Sequence, residues 1–274
     1  MVEFGPHLVA SPAGTLRRAL VVMPARAIED ARPLPGEPNA VELRARNELA
    51  VLAKTLRYFG CDVVELQTVS ADPLASSVVD LAVVFESGAA LLRPYSMKLR
   101  SEVNWIEHEF EKLDVPIAGH VEGPGLLNGS DVVFAGKRAF IGVSSRSNAF
   151  GRNAFARIAQ AHGIAPIEVQ LDPSVPSLRS VCGVLSDTQL VIAAEKLDRE
   201  AFRDFSIISV PRGDELGAGV LNIGERHVIA DVRFPRVLDA LREIGVRVEA
   251  IDLYDFGRIG LTPSSLVLDL KRLR

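Results

Sequence analysis

Residues Glu42–Leu66 read ELRARNELAVLAKTLRYFGCDVVEL, and the pattern of this stretch returns twice further along the chain. Leu43, Leu49, Ala50, Leu52, Ala53, Leu56 and Phe59 recur near a 3.6-residue period, which predicts a helix over Glu42–Phe59. Gly60 follows as a helix-terminating residue that tolerates a left-handed backbone, and Asp62–Leu66 (DVVEL) has the Val-rich composition of a strand. The same succession recurs as helix Ala149–His162, Gly163 and strand PIEVQL. It recurs again as helix Pro235–Ile244, Gly245 and strand VRVEAIDL. Each strand carries a central Val-Glu or Glu-Val pair.

Working outward, short apolar runs fill the intervals between these units. Arg18–Met23 (RALVVM) reads as a strand. Four strand pairs are expected: Val79–Phe85 with Ala89–Arg93, Asp131–Ala135 with Ala139–Val143, Arg179–Leu185 with Gln189–Ala194, and Val220–Ile223 with His227–Ala230. Three of their connections (Glu86-Ser87-Gly88, Gly136-Lys137-Arg138 and Gly224-Glu225-Arg226) are of hairpin length. Two or three strands per helix, repeated about five times, fits neither a doubly wound sheet nor a (β/α)8 barrel. It implies one radially built domain over 1–274. The proline-rich Ala31–Asn39 (ARPLPGEPN) and the segment around Arg212–Gly219 are the expected mobile loops.

The chain has 274 residues, 48% hydrophobic and 24% charged, with a formal net charge of −4. This balance excludes wholesale disorder and gives no basic field for nucleic acid. No apolar run reaches the roughly 18 residues of a membrane span. The start, MVEFGPHLVASPAG, lacks a basic segment followed by an apolar one, so a cytoplasmic location is expected. Cys61 and Cys182, 121 positions apart, form neither a CxxC motif nor a disulfide framework, and are expected as buried, reduced thiols. No metal and no cofactor are expected. The glycines of His120-Val121-Glu122-Gly123-Pro124-Gly125 fit neither GxGxxG nor a P-loop.

Several polar clusters are candidates for chemistry. His120 and Glu122, two apart on a strand, would share a face and form a general-base pair or two metal ligands; the alternative is a strand end before a Pro/Gly turn. Asp131 opens a strand after the turn Asn128-Gly129-Ser130, where it can bond the turn backbone. Arg146 lies between a strand and a helix capped by Ser147 or Asn148, a position suited to a carboxylate. Ser264 and Ser265, in Leu261–Leu266 (LTPSSL), are hydroxyls without a base nearby in sequence.

Four segments together resemble the dimethylarginine dimethylaminohydrolases (dimethylargininases), members of the guanidino-group-modifying superfamily that includes arginine deiminases and amidinotransferases. They are Leu81–Glu86 with Leu92-Arg93-Pro94, Asp131–Gly136 with Arg146-Ser147-Asn148-Ala149, Val220–Ile223, and Gly260-Leu261-Thr262. The resemblance spans nearly the whole chain. It implies a five-bladed α/β propeller (pentein) of strand-strand-helix-strand units, often dimeric, so a homodimer is expected. It also implies covalent chemistry: a Cys attacks the guanidinium carbon, a His transfers protons, carboxylates hold the guanidinium, and arginines hold the amino-acid carboxylate.

Carried over position by position, the resemblance predicts a site without that chemistry. The nucleophile position falls on Pro263, or on Ser264 with a slip of one. The His position falls on Ser177. The acidic pair becomes Val79-Asp80, an earlier substrate-holding Asp falls near Leu74, and the first carboxylate-binding Arg falls on Leu99, with Arg100 next to it as a stand-in. Asp80, Asp131 and Arg146 keep the family's residue types. Loss of a nucleophile or base in a covalent mechanism lowers the rate by about 10⁴–10⁶. Cys182, five residues beyond Ser177, is expected on the opposite face of a strand.

The resulting expectation is a dimethylargininase-like pseudoenzyme that binds a small amino-acid or carboxylate ligand through Asp80, Asp131, Arg146 and Arg100. The alternative is a hydrolase or lyase rewired through His120, Glu122, Ser177, Ser264 or Ser265 and acting on an amidine- or amino-acid-like substrate.

Overall fold

The computed structural model describes residues 7–224 and 226–273. In chain order the regular elements are β1 (Thr15–Met23), α1 (Glu42–Tyr58), β2 (Asp62–Gln67), β3 (Ala82–Val84), β4 (Ala89–Leu91), α2 (Met97–Lys112), β5 (Ile117–His120), β6 (Val132–Ala135), β7 (Arg138–Val143), α3 (Ala149–Ala161) and β8 (Ala165–Gln170). They continue as α4 (Leu178–Val181), β9 (Cys182–Ser186), β10 (Gln189–Ile192), β11 (Ser206–Ser209), β12 (Leu221–Gly224), β13 (His227–Asp231), α5 (Pro235–Glu243), β14 (Arg247–Ile251), α6 (Tyr254–Arg258) and β15 (Leu268–Leu273).

These strands form five three-stranded sheets with one plan: β15-β1-β2, β3-β4-β5, β6-β7-β8, β9-β10-β11 and β12-β13-β14. In each, the first strand pairs antiparallel with the middle one, and the middle one pairs parallel with the third. A parallel pair needs a crossover. α1, α2, α3 and α5 supply four of them, and between β10 and β11 a short 3-10 turn, Arg199–Phe202, stands in their place. The middle strands are almost wholly buried, which is why RALVVM and QLVI read as unbroken apolar runs. The third strands are more exposed, and the glutamates of three of them occupy matching registers: Glu65 opposite Val21, Glu168 opposite Ile141, Glu249 opposite Ile229. Each glutamate meets a cation or imidazole on its own unit (Arg57, Arg152 and His227 respectively).

Five apolar clusters lie between successive sheets and close them into a ring. Leu99, Ile106 and Phe110 join the β1 sheet to the β4 sheet with Leu20, Val22 and Leu91. Phe155 joins the β4 and β7 sheets, and Phe140 and Phe202 join the β7 and β10 sheets. Val237 and Leu241 join the β10 and β13 sheets, and Leu49, Leu52 and Phe256 return to the β1 sheet. The radially repeated architecture expected from the sequence is therefore observed, as a mixed α/β fold of five repeated units.

Four helices end alike. The amide three residues past the helix bonds back across the last turn: Cys61 to Leu56 O, Val115 to Phe110 O, Ile164 to Ala159 O and Val246 to Leu241 O, at 2.9–3.0 Å. This closure needs a left-handed residue, supplied by Gly60, Gly163 and Gly245 (φ 81°, 72° and 78°) and, after α2, by Asp114 (φ 56°). The proline-rich segment Ala31–Asn39 is tied down at Leu34, whose amide donates to the Arg258 carbonyl, and at Asn39, whose carbonyl accepts from the Arg258 guanidinium.

Three sequence expectations are corrected here. Residues Val78–Asp80 and Gly129–Asp131 are 3-10 turns rather than strand starts, because Asp80 and Asp131 accept amides from neighbouring turns. Leu178–Val181 is helical rather than the first half of a strand, because Ser177 and Ser180 cap each other's backbone amides. Strand alternation therefore does not run from Ser177 to Cys182.

Candidate functional site

Every first strand of the ring is entered through a tight turn at the same end: Val78–Asp80 before β3, Gly129–Asp131 before β6, α4 before β9, Glu215–Ala218 before β12, and Pro263–Ser265 before β15. The turns pack against one another around the axis. They crowd closely enough that a Cβ on Gly129 would sit 1.9 Å from the Val79 carbonyl oxygen, so only glycine fits there. Five of the positions singled out from the sequence thus converge: Val79, Asp80, Asp131, Ser177 and Ser264.

Asp131 is the centre of this end and is 0% exposed. Its Oδ2 accepts from Ser144 Oγ at 2.6 Å. Its Oδ1 accepts from the Leu178 amide at 3.1 Å and from Arg146 Nη2 at 3.4 Å. Burial raises the Asp131 carboxyl above the ordinary carboxylate range, and the Arg146 charge and the Ser144 and Leu178 bonds pull it back. Asp80, also buried, accepts the Ser130 amide at 2.9 Å. Val79 is fully buried among the apolar side chains between the β1 and β4 sheets.

The three candidate serines are tied into the turns. Ser177 Oγ accepts the Ser180 amide, and Ser180 Oγ accepts the Ser177 amide in return. Ser265 Oγ accepts the Thr262 amide at 2.9 Å. Ser264 Oγ donates to the Arg179 carbonyl at 3.1 Å, and Arg179 Nη1 donates to the Ser264 carbonyl at 3.1 Å. Arg179 Nε donates to the carbonyls of Val132 and Gly129, so this one guanidinium stitches three of the five turns together. Its enclosure lowers its pKa. No sequence motif marked Arg179 or Ser144; only their spacing from Ser177 and Arg146 placed them nearby.

On the axis beneath the turns is a cavity of about 70 Å³, bordered by Arg179, Ser264, Cys182 and the ion pair Arg272–Asp269. Cys182 borders this cavity and packs in the apolar cluster between the β7 and β10 sheets, and its burial pushes the thiol up to about 12. Cys61 lies in the cluster between the β13 and β1 sheets, bonded to the Asp62 carbonyl, and is likewise pushed up to about 12 by burial. All five histidines lie within the described residues, and none is within hydrogen-bonding distance of either thiol.

A second, larger cavity of about 310 Å³ opens beside the turns. Leu74, Leu99 and Ile259 give it apolar walls, while Arg146, Asn128 and Asp72 line it with polar groups, and Asp30 and Arg32 stand at its exposed edge. Of the positions to which the resemblance assigned substrate contacts, Leu74, Leu99 and Arg146 line this cavity, whereas Val79 and Asp80 do not. Asp72 accepts from Ser96 Oγ and from the Leu74 amide. Arg100 does not serve as a stand-in: its guanidinium donates to the carbonyls of Pro94 and Tyr95 at the start of α2. His120 and Glu122 do not form a pair. His120, at the exposed end of β5, meets Glu107 at 3.3 Å, and Glu122 lies past the strand in the turn closed by Gly125. Among the described residues no group of three or more His, Cys, Asp or Glu side chains is placed to hold a metal ion, and no helix is long and apolar enough to cross a membrane.

With this geometry established, comparisons place the chain among known proteins. It is 28% identical over 171 residues to N(G),N(G)-dimethylarginine dimethylaminohydrolase of Pseudomonas aeruginosa, covering 62% of this chain and 66% of that one. The chain is a relative of the dimethylargininases. It is also 27% identical over 175 residues to the putative hydrolase DDAH2 of Bos taurus, and 24% identical over 215 residues to the dimethylargininase of Streptomyces coelicolor, covering 64% and 78% of this chain. The matched stretches span less than two thirds of the first two relatives, 66% and 60%, and 81% of the Streptomyces protein. No model of a known protein family matches the chain. Among solved structures, a cysteine-to-serine variant of the Pseudomonas dimethylargininase complexed with citrulline superposes with a TM-score of 0.82 at 23% identity, covering 93% of this chain and 99% of that one. The amidinotransferase SxtG of Microseira wollei superposes with a TM-score of 0.82 at 13% identity, covering 98% of both chains. These structural matches establish the shared fold.

Proposed function

We propose that this dimethylargininase relative binds a small amino acid or other carboxylate-bearing molecule in the 310 Å³ cavity at Arg146, and that it does not carry out covalent guanidino hydrolysis. The observation that carries the reading is the separation of the cavity from every group fit for such chemistry. Neither thiol and no imidazole is in its wall, and both thiols are held near 12, where the thiolate that would attack is scarce at neutral pH. Ser177 and Ser265 commit their hydroxyls to the caps of their own turns and Ser264 commits its hydroxyl to the Arg179 carbonyl, and a serine without a neighbouring base is a weak nucleophile. This also weighs against a hydrolase rewired through serine. Support for retained binding comes from Arg146, which keeps a guanidinium on the cavity wall beside a helix start. The relatives' names and the citrulline complex point to amino-acid-like ligands as the class to test.

The test has two arms. Incubation with dimethylarginine, arginine or S-methyl-L-thiocitrulline is expected to release no citrulline or ammonia. A panel of amino acids and small carboxylates is expected to contain members that raise the melting temperature; a ligand at 100 times its Kd adds about 2.7 kcal/mol. Arg146→Lys keeps a cation beside Asp131 but loses the forked donor and is expected to weaken that effect. Citrulline or ammonia release by the intact chain would overturn the reading, and loss of that release in Cys61→Ala or Cys182→Ala would identify the thiol responsible.

A further inference from the structure

The lining of the 310 Å³ cavity discriminates among ligands more finely than its position implies. Resting on the non-catalytic binding reading, we propose that the cavity takes an α-amino acid with an apolar side chain of about the size of leucine or phenylalanine, rather than a guanidino compound.

A guanidinium needs a free carboxylate where it is desolvated. The inner wall holds one carboxylate, Asp72, and each of its oxygens already accepts a hydrogen bond, from Ser96 Oγ and from the Leu74 amide. Asp131 is sealed by Ser144, Leu178 and Arg146, and Asp80 lies behind the turns on the Ser130 amide. What a ligand tail would meet is Leu74, Leu99 and Ile259, the last two being 1% and 7% exposed. An arginine or citrulline side chain placed there would lose water without gaining a partner, whereas an isobutyl or benzyl group would bury apolar area against apolar area.

The edge of the cavity has the complementary property. Asp30 and Arg32, two residues apart and both exposed, form no ion pair or side-chain hydrogen bond among the described residues. Arg146 uses one nitrogen, at 3.4 Å, on Asp131, which leaves further donors. A carboxylate on Arg32 or Arg146 and an ammonium on Asp30 would satisfy the backbone end of a free amino acid, with its side chain turned inward. A volume of about 310 Å³ is at the small end of ligand sites, which suits a molecule of this size.

Calorimetric titration of the intact chain with L-leucine, L-phenylalanine, L-arginine, L-citrulline and 4-methylpentanoate tests the proposal. Leucine or phenylalanine is expected to bind at least about tenfold more tightly than arginine or citrulline, and 4-methylpentanoate more weakly than leucine for want of the ammonium. Leu74→Asp, at a partly exposed position, and Arg32→Gln, at an exposed one, are each expected to weaken leucine binding by about tenfold or more with an unchanged circular dichroism spectrum. Preference for arginine or citrulline overturns the apolar specificity while leaving a binding site. Equal binding of 4-methylpentanoate and leucine overturns the ammonium contact. Binding by none of the five overturns the proposal. Citrulline release from dimethylarginine would instead overturn the non-catalytic reading beneath it.

Discussion

Asp131 has no contact with solvent, and the groups on its carboxylate come from two separate segments: Ser144 and Arg146 just after β7, and the first amide of α4. Its role follows from that enclosure. Removing Arg146 leaves a buried carboxylate with hydroxyl and amide donors but no counter-charge, so Arg146→Ala is expected to lower stability by about 3 kcal/mol in denaturant titration. The loss depends on pH. Burial already raises the Asp131 carboxyl, and losing Arg146 raises it further. The native state then binds more protons than the unfolded one above the ordinary carboxylate range, and the deficit of the variant grows as pH rises. Sequence alone singled out Asp131 and Arg146 as candidate ligand contacts, and the structure brings the two together in one ion pair. The serines were legible as residues but not as caps, because reciprocal capping by Ser177–Ser180 and Thr262–Ser265 depends on turns that no apolar period announces.

Glu48, on α1, accepts the amides of Asp255 and Phe256 at the start of α6, beside the Asp255 carboxylate, which is held by Arg44 and Arg258. Burial first, and then the neighbouring Asp255 charge, raise Glu48 from 4.5 to about 7. A raised carboxyl stabilises the protonated native form, so the contribution of this contact declines as pH rises from 4.5 to about 7. Asp255 is depressed by its arginines, and its contribution is complete before that window opens. Thermal melts of Glu48→Gln, which keeps an acceptor but cannot ionise, are expected to show a flatter stability profile across that interval. At the same scale, α2 was invisible to a reading that looked for helix, glycine and strand, because its left-handed closing residue is Asp114 rather than glycine and three of its sixteen residues are Leu, Ile or Phe in the core. Asp114→Gly is expected to stabilise the chain by about 0.5–1 kcal/mol in urea titration, since glycine occupies that backbone region without steric penalty. The fourth unit was equally hard to read, for a 3-10 turn of four residues has no period to detect.

The ring is closed by a sheet built from both ends of the described chain: β15 pairs with β1 from Thr15–Leu273 to Leu20–Leu268. Leu268 and Leu270 also fill the cluster between the β1 and β4 sheets. Deleting residues 268–274 would therefore remove a strand and open an apolar seam, and the truncated chain is expected to lose its cooperative melting transition. The repeated plan was legible because three of the five units carry the same helix–glycine–Val/Glu strand signature; what the sequence could not display is that all five entry turns meet at one end and fill it. That filled centre, with both thiols buried and outside the wall of the 310 Å³ cavity, underlies the proposed loss of covalent chemistry. Intact-protein mass spectrometry after prolonged incubation with S-methyl-L-thiocitrulline tests this most directly. The account predicts an unchanged protein mass, and a covalent adduct localised to Cys182 or Cys61 would contradict it.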